Sequence, residues 1–300
     1  MGAGRLACND PAMIVRAVRV DDANAFLTRV GSFLEAHEAE HNLALGLLGR
    51  LRIEPRLYGF DPTFVVAEDG GSVAGCLLRT PPHGVVLSRF ESLEAVDAVA
   101  EAVLDMHPGL PGAVGPSDIV ARFAATWSRL TGAAAEIAIR QRVHAAAVVH
   151  DVPRAPGRMR EAGPDDIPIV LAWLTAFADE ALGETAHIEE AEGAYRRREA
   201  DPDGAWLLWD DGGPVSLAAY GSPTPTGTRV GPVYTPPELR GRGYATSLVA
   251  GLTAERLASG LRFCFLFTDL ANLTSNAIYA RIGYEPVADW DQWAFAPLEE

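Results

Sequence analysis

Apolar positions along the chain alternate between the two-residue period of strands and the three-to-four-residue period of helices. Met13 to Val20 is typical of a strand, and Phe26, Val30 and Phe33 follow on one face of a predicted helix. Two apolar runs joined by Glu68 to Gly71 predict a hairpin, because Asp-Gly favours a tight turn between strands. Predicted strands and helices thus follow one another along the first half of the chain.

The same order of elements begins again in the second half of the chain. Residues 206–220 repeat the strand, turn and strand of the first hairpin, and Asp269 to Gly283 corresponds in length to Asp118 to Gly132. A third match lies before these two in both halves. Three matches in the same order predict a duplicated domain. A proline-containing linker then divides the chain into predicted domains 1–152 and 153–300.

A short glycine-containing loop, Leu239 to Ala245, stands between a predicted strand (229–235) and a predicted helix that ends at Ser259-Gly260. The first amides of a helix have no intrahelical acceptor, and glycines let the backbone approach a phosphate closely. This order predicts an anion-binding site. A glycine turn without a ligand explains the loop equally well when the loop is taken alone.

Two other nucleotide-binding motifs do not fit this loop. A dinucleotide fingerprint needs Gly-x-Gly-x-x-Gly/Ala. With Gly241 and Gly243 as its first two glycines, the sixth position of the motif is Thr246, which is neither glycine nor alanine. All 25 positive residues are arginines. The lysine of a P-loop is therefore missing, which excludes a standard P-loop NTPase.

Composition narrows the class of protein further. The 48% of hydrophobic residues is ordinary for a globular protein, and the net charge of −15 argues against nucleic-acid binding while weakly favouring a cationic acceptor such as an amine. The chain shows neither a membrane span nor a signal peptide, so we expect a cytoplasmic protein. Its three cysteines are too far apart for a metal-ligand cluster, and Cys76 and Cys264 are expected to be buried thiols.

A second group of polar residues follows the next predicted strand. A helix from Asn272 to Ile282 is predicted, with Gly283 as its αL cap. Asn272, Ser275 and Tyr279 are spaced by three and seven positions and therefore share one face. A phenol on this face is well placed to donate a proton beside a phosphate loop. The simpler interpretations are a packing tyrosine and a helix-capping asparagine.

Two motifs thus flank one strand: Arg240-x-x-Gly243-x-Ala245 and Asn272-x-x-Ser275-x-x-Ile278-Tyr279-x-x-x-Gly283-Tyr284. The first resembles the Arg/Gln-x-x-Gly-x-Gly/Ala signature of the GNAT superfamily of N-acetyltransferases. The second is similar to that family's Asn-x-x-Ala/Ser-x-x-Leu-Tyr-x-x-x-Gly-Phe segment. The resemblance implies an α/β (α+β) fold of two tandem GNAT-like domains, each a mixed, mostly antiparallel twisted sheet flanked by helices.

The resemblance further implies that acetyl-CoA binds where the fourth and fifth strands of the second domain splay apart. Backbone groups of the fourth strand would pair with the pantetheine arm, loop amides would hold the pyrophosphate, and Tyr279 would protonate the departing thiolate. No metal is expected. The implied cofactor-binding residues are Val233, Tyr234, Thr235, Arg240, Gly241, Arg242, Gly243, Tyr244, Ala245, Asn272 and Ser275.

The predicted reaction is transfer of acetyl from acetyl-CoA to a primary amine of a small-molecule acceptor, by direct attack in a ternary complex. Many GNAT proteins carry a glutamate on the fourth strand as general base, but residues 229–235 contain no acid. Glu184 and His187, after the first helix of this half, are candidates at the acceptor site. Each is also typical of a solvated loop, and deprotonation through water without a dedicated base is equally open.

The first half lacks the polar groups of the second. Acidic, glycine-free Glu91 to Glu94 replaces the glycine loop, and the polar helix face is replaced by Ala121, Ala124 and Ser128. We expect one active domain and one degenerate domain, which could stand in for a second subunit, in a monomer or homodimer. The alternatives are a non-catalytic acyl-CoA-binding or scaffold protein and an acyltransferase for a longer acyl group.

Overall fold

In the described part of the chain, each half contains six strands and four α-helices in the same order. A computed structural model describes residues 15–182 and 188–296. The first half contains, in chain order, β1 (Arg16–Val20), α1 (Ala23–Glu35), α2 (Asn42–Ile53), β2 (Thr63–Asp69), β3 (Ser72–Arg79), β4 (Val85–Phe90), α3 (Leu93–Met106), β5 (Gly112–Pro116), α4 (Ser117–Thr131) and β6 (Ala135–Ala146).

The second half repeats that order and confirms the duplication of the frame. Its elements are β7 (Arg158–Glu161), α5 (Ile167–Phe177), α6 (Ile188–Glu199), β8 (Ala205–Asp210), β9 (Pro214–Gly221), β10 (Gly227–Tyr234), α7 (Tyr244–Ala258), β11 (Phe263–Asp269), α8 (Leu273–Ile282) and β12 (Glu285–Phe295). A turn of π-helix, Ala178–Leu182, continues α5. None of the helices in the described part of the chain combines the length and apolarity needed to cross a membrane.

All twelve strands belong to one mixed, mostly antiparallel sheet. Its strand order is β1-β2-β3-β4-β5-β12-β6-β11-β10-β9-β8-β7. The two parallel pairs are β4 with β5 and β10 with β11, one in each half. This sheet confirms the predicted fold class.

The last strand of each half lies in the sheet of the other half. Strand β6 pairs antiparallel with β11, from Cys264 opposite Ala146 to Asp269 opposite Gln141. Strand β12 pairs antiparallel with β5, from Trp290 opposite Pro116 onward. The two exchanged strands also pair with each other along their length. Neither half therefore completes its sheet from its own residues.

Helices cover both faces of the sheet because most strands are apolar on both sides. In β6, Val143 packs with α1 and α2, whereas Ala146, on the opposite face, packs with α7 and α8. Helices α5 and α6 lie across the sheet from α7, over Trp206 and Leu208 of β8. Helices α1, α2, α5 and α6 thus cover the same face of the sheet. Cys76 and Cys264, which were predicted to be buried thiols, are buried and free.

Candidate functional site

Strands β10 and β11 separate after a short paired segment. They pair in parallel from Gly227 opposite Phe263 to Arg229 opposite Phe265, and no later pair joins them within the described strands. Strand β10 stays paired with β9, and β11 with β6. A cleft therefore opens between two parallel strands toward their carboxyl ends, as expected for the fourth and fifth strands of this half.

A bulge in β10 lies at the start of this cleft. The register with β9 shifts between Val230 and Val233, and Gly231 adopts a φ of 137°. Beyond the bulge, Val233 packs against the α7 side of the sheet, and Tyr234 packs against the α5 side with its ring 6.4 Å from that of Trp173. The bulge directs the strand end away from β11.

The loop between β10 and α7 depends on two glycines. Gly241 and Gly243 have φ values of 76° and 81°, in the left-handed region that favours glycine. No heavy atom lies within 4 Å of the position that a Cβ at Gly241 would occupy. The glycines therefore serve the backbone conformation, and the space in front of the loop is open.

The N-terminus of α7 is uncapped, unlike the matching helix of the first half. Gly243 precedes the helix, and no side chain of the described residues caps its first amides. In the first half, two residues separate β4 from α3, and the Ser92 side chain accepts a hydrogen bond from the Ala95 amide at 3.2 Å. Leu93 and Glu94, which the sequence comparison set against the glycine loop, already belong to α3. The cap therefore occupies one of the first amides of α3, whereas the first amides of α7 have no side-chain partner in the described residues.

Glu180 fixes the end of β10 and the start of the loop together. Its carboxylate lies 2.5 Å from Arg240 Nη2 and accepts a hydrogen bond from the Tyr234 hydroxyl at 2.9 Å. Arg240 Nε also donates to the carbonyl oxygen of Thr235 at 2.8 Å. The hydrogen bond from Arg240 lowers the pKa of Glu180, while burial and the bond to Glu180 raise the pKa of Tyr234 to about 12. At neutral pH the Glu180 carboxyl is therefore ionised and the Tyr234 phenol keeps its proton, so the phenol can donate to the carboxylate.

Tyr244 joins the first turn of α7 to the β8–β9 turn. Its hydroxyl donates to Asp211 Oδ2 at 2.7 Å, which raises the pKa of the phenol. The side chain of this predicted cofactor-binding residue is therefore used within the protein. Its backbone amide remains part of the helix start, beside Ala245 and the exposed Arg242.

At the start of α8, Asn272 is a helix cap. Its Oδ1 accepts a hydrogen bond from the Ser275 amide at 3.0 Å, and Gly283 ends the helix with a φ of 117°, as predicted. Asn272 is exposed and Ser275 is half-buried. The capping interpretation of Asn272 is thereby confirmed, while a contact with cofactor stays a prediction.

Tyr279 is buried at the same side of the sheet as α7. It shares a core with Tyr244 and Leu248, and its ring meets that of Tyr284 edge-on with centroids 5.9 Å apart. Burial raises the pKa of Tyr279 to about 12. Its hydroxyl makes no hydrogen bond with any residue in the described ranges. A protonated phenol is therefore present near the loop with its donor unused.

Sequence reasoning missed two polar residues of this region. Glu180 stands in the segment already suspected of shaping the acceptor site, but its contacts depend on the π-helical turn. Asn276 donates to the carbonyl oxygen of Asp269 at 3.0 Å, and its Oδ1 is buried without a hydrogen-bond partner in the described part of the chain. The predicted base candidates Glu184 and His187 lie outside the described residues.

Comparison with known proteins bears on both halves. Residues 170–284, which include both motifs, match the family model described as the Acetyltransferase (GNAT) family. No curated protein matches the chain significantly.

Three solved structures share the architecture over nearly the whole chain. A GNAT-family acetyltransferase from Colwellia psychrerythraea is 13% identical, with 94% of this chain and 100% of that chain covered and a TM-score of 0.55. A GCN5-related N-acetyltransferase from Sphaerobacter thermophilus is 18% identical, with 96% of each chain covered and a TM-score of 0.56. A tandem GNAT protein from the clavulanic acid biosynthesis pathway is 14% identical, with 96% and 99% covered and a TM-score of 0.54. At these identities the similarity shows the fold.

Proposed function

We propose that this chain, whose second half is a domain of the GNAT acetyltransferase family, transfers acetyl from acetyl-CoA to a primary amine of a small acceptor. Membership of the family supports acetyl transfer in general. The observation that carries the proposal is the separation of β10 from β11 directly in front of the uncapped, glycine-flanked start of α7. We further propose that residues 153–300 carry the site and that residues 1–152 support it.

The residues at this cleft fit acetyl-CoA. Beyond Arg229, the β10 edge that faces β11 has no strand partner within the described residues, so backbone groups of Val233 to Thr235 can pair with an amide-containing arm. The amides from Gly241 to Ala245 can bind a pyrophosphate at the positive end of the helix dipole. Asn272 and Ser275, at the start of α8, complete the proposed binding residues.

When bound, acetyl-CoA supplies a thioester with an electrophilic carbonyl carbon. The protein contributes position: the acceptor amine and the thioester are held in one cleft, which replaces a bimolecular encounter by an oriented one. Backbone donors of β10 beyond the bulge can polarise the carbonyl oxygen as the amine attacks. The neutral form of the amine is the one that attacks, so the amine must lose a proton.

Tyr279 acts at the leaving sulfur in this proposal. Its pKa of about 12 keeps the hydroxyl protonated at neutral pH. Because an ordinary thiol has a pKa of about 8.5, complete transfer of the phenolic proton to a free thiolate is uphill by roughly three pK units. The main contribution of Tyr279 is therefore a hydrogen bond to the sulfur as negative charge develops during C–S cleavage.

Deprotonation of the amine does not use Glu180 in this proposal. That carboxylate is paired with Arg240, and its lowered pKa makes it a weak base. We infer that the amine loses its proton to water or to Glu184 or His187.

Titration calorimetry with acetyl-CoA tests the cofactor, and thiol release across a panel of amines tests the chemistry. We expect saturable binding of acetyl-CoA, and thiol release that depends on the amine. Absence of binding would overturn the proposal. Binding without thiol release for every amine would instead identify a non-catalytic acyl-CoA-binding protein.

A further inference from the structure

Three arginines from both halves lie beside β10 around one carboxylate, which pairs with two of them. Arg50 belongs to α2 of the first half, Arg198 to α6 and Arg229 to β10. The carboxylate is that of Asp201, whose side chain is 1% exposed. We call these four residues the arginine cluster.

Asp201 is already fully engaged within the cluster. Its Oδ2 lies 3.1 Å from Arg50 Nη1 and 3.8 Å from Arg198 Nη1, and it accepts a hydrogen bond from the Ser222 amide at 2.7 Å. Its Oδ1 accepts from the amide of Asp203 at 3.2 Å. One carboxylate balances one guanidinium, so the cluster holds two positive charges in excess.

Arg229 carries one of these unbalanced charges. Its guanidinium makes no hydrogen bond or ion pair with any residue that the structure describes, although the residue is half-buried. Burial lowers the pKa of Arg229, and burial together with Arg229 and Arg50 lowers the pKa of Arg198 to about 10. Both side chains stay charged at neutral pH. Partly desolvated charges without a counter-charge are unfavourable in the protein alone.

Two glycines next to the cluster leave space for the side chain of Arg198. A Cβ at Gly221 of β9 would be 2.0 Å from Arg198 Nη1, and a Cβ at Gly204 would be 3.0 Å from Arg198 Cδ. With that space, Arg198 Nη2 donates to the carbonyl oxygen of Gly231 at 3.3 Å. The backbone thus holds the Arg198 head against the β10 bulge.

The arginine cluster lies beside the start of the cleft. Gly231 stands two residues after Arg229, the last residue of β10 that pairs with β11. The cluster is on the sheet face covered by α2 and α6, opposite the face covered by α7 and α8. An acceptor bound on the α2–α6 side of the cleft would therefore lie next to Arg198 and Arg229.

We propose that Arg198 and Arg229 bind an oxyanion of the acceptor, either a carboxylate or a phosphate, so that the acceptor is an anionic amine. The forked donors of guanidinium groups match both oxyanions. The overall charge of −15 favoured a cationic acceptor, but charges beyond about one Debye length are screened, so the adjacent guanidinium groups dominate. The proposal rests on the proposed acetyl transfer for the identity of the acceptor, whereas the anion site can be tested without it.

Titration calorimetry with three primary amines of similar size tests the anion site, with and without CoA. The probes are ethanolamine, β-alanine and O-phosphoethanolamine. We expect at least one anionic amine to bind about ten-fold or more tightly than ethanolamine, and the stronger of the two identifies carboxylate or phosphate. Equal affinities, or no measurable binding of either anionic amine, would overturn the proposal. Thiol release in the same mixtures tests acetyl transfer separately.

Arg229→Gln removes one charge from the cluster, and Arg262→Gln is the matched control because it removes one exposed arginine elsewhere. The first change should abolish the preference for anionic amines, and the second should preserve it. Arg229→Lys keeps the positive charge but lacks the forked donors of a guanidinium group, and it should recover part of the preference for anionic amines. The Tm of Arg229→Gln should equal or exceed that of the unmodified protein. A lower Tm, or an unchanged preference, would show that Arg229 is a structural residue and would overturn the proposal.

Discussion

At the residue scale, two neighbouring buried tyrosines differ in whether their hydroxyl has a hydrogen-bond partner. The Tyr284 hydroxyl bonds with the Thr253 hydroxyl at 2.7 Å, so its polar end is used inside the core. The Tyr279 hydroxyl, five residues before it in the chain, has no such partner in the described residues. Removal of the two hydroxyls should therefore have opposite consequences.

Tyr279→Phe should lower kcat by about ten- to a hundred-fold and leave Tm and the Kd for acetyl-CoA nearly unchanged. The ring that packs against Tyr284 is retained, and no intramolecular hydrogen bond is lost. Tyr284→Phe is the control: it should lower stability by about 1 kcal/mol and preserve kcat. Steady-state kinetics and thermal melts measure both. An unchanged kcat for Tyr279→Phe would remove its proposed role.

Glu180→Gln should raise the KM for acetyl-CoA several-fold with little change in kcat, because the loop start loses its ion pair with Arg240. The pKa of Glu180 is lowered from 4.5. The ion pair is therefore complete above pH 4.5 and is lost as pH falls through the lowered value. In the unmodified protein the KM should rise over that acidic range, and in Glu180→Gln this rise should be absent. Parallel pH profiles for the two proteins would contradict the assignment.

At the element scale, the two halves differ in how a strand is connected to the helix that follows it. The connection from β4 to α3 consists of Glu91 and Ser92, and the serine caps the helix. The connection from β10 to α7 runs from Thr235 to Gly243 and leaves the helix amides free. The same frame thus carries the proposed anion site in the half with the longer, glycine-containing connection.

Joint replacement of Gly241 and Gly243 by alanine should weaken acetyl-CoA binding at least ten-fold. Alanine in the left-handed region costs about 1–2 kcal/mol per residue, so the loop should leave its observed conformation. Gly260→Ala is a matched control, since Gly260 has a φ of 103° with open space around it at the other end of α7. Calorimetry should show normal affinity for the control. Equal affinities for both variants would exclude the loop as the pyrophosphate site.

Local patterns predicted the local elements well. The strand predicted from Met13 to Val20 contains β1, Phe26, Val30 and Phe33 lie on α1, and Gly283 ends α8 as its position indicates. The apolar pattern of β6, in contrast, is the same whichever strand lies beside it. Pairing between β6 and β11 is a non-local choice that the sequence pattern does not encode. The Glu180 contacts likewise depend on a π-helical turn that has no signal in a single sequence.

At the scale of the whole molecule, the exchange of β6 and β12 makes the two halves interdependent. Strand β6 covers the edges of both β11 and β12. Glu38 of the first half adds a contact, since its carboxylate accepts hydrogen bonds from the Thr226 amide and hydroxyl, both at 2.7 Å. The proposed division at residues 152 and 153 therefore separates two repeats without separating two sheets.

A fragment of residues 153–300 should fail to unfold cooperatively, because β12 loses both of its partner strands. A fragment of residues 133–300 carries β6 in addition and should fold better and bind acetyl-CoA. Circular dichroism melts and calorimetry compare the two fragments. Cooperative unfolding of 153–300 with the Tm of the full chain would show that the exchanged strand is dispensable.

The exchanged strands also matter while the protein is being made. Strand β5 leaves the ribosome when residue 116 has emerged, but the strand that covers its edge is complete only at residue 295. At about 5–20 residues per second, that edge waits roughly 10 to 40 seconds for its neighbour. The first half therefore contributes to the folding of the second half without a glycine loop of its own, because β6 and β5 supply the edges on which β11 and β12 pair.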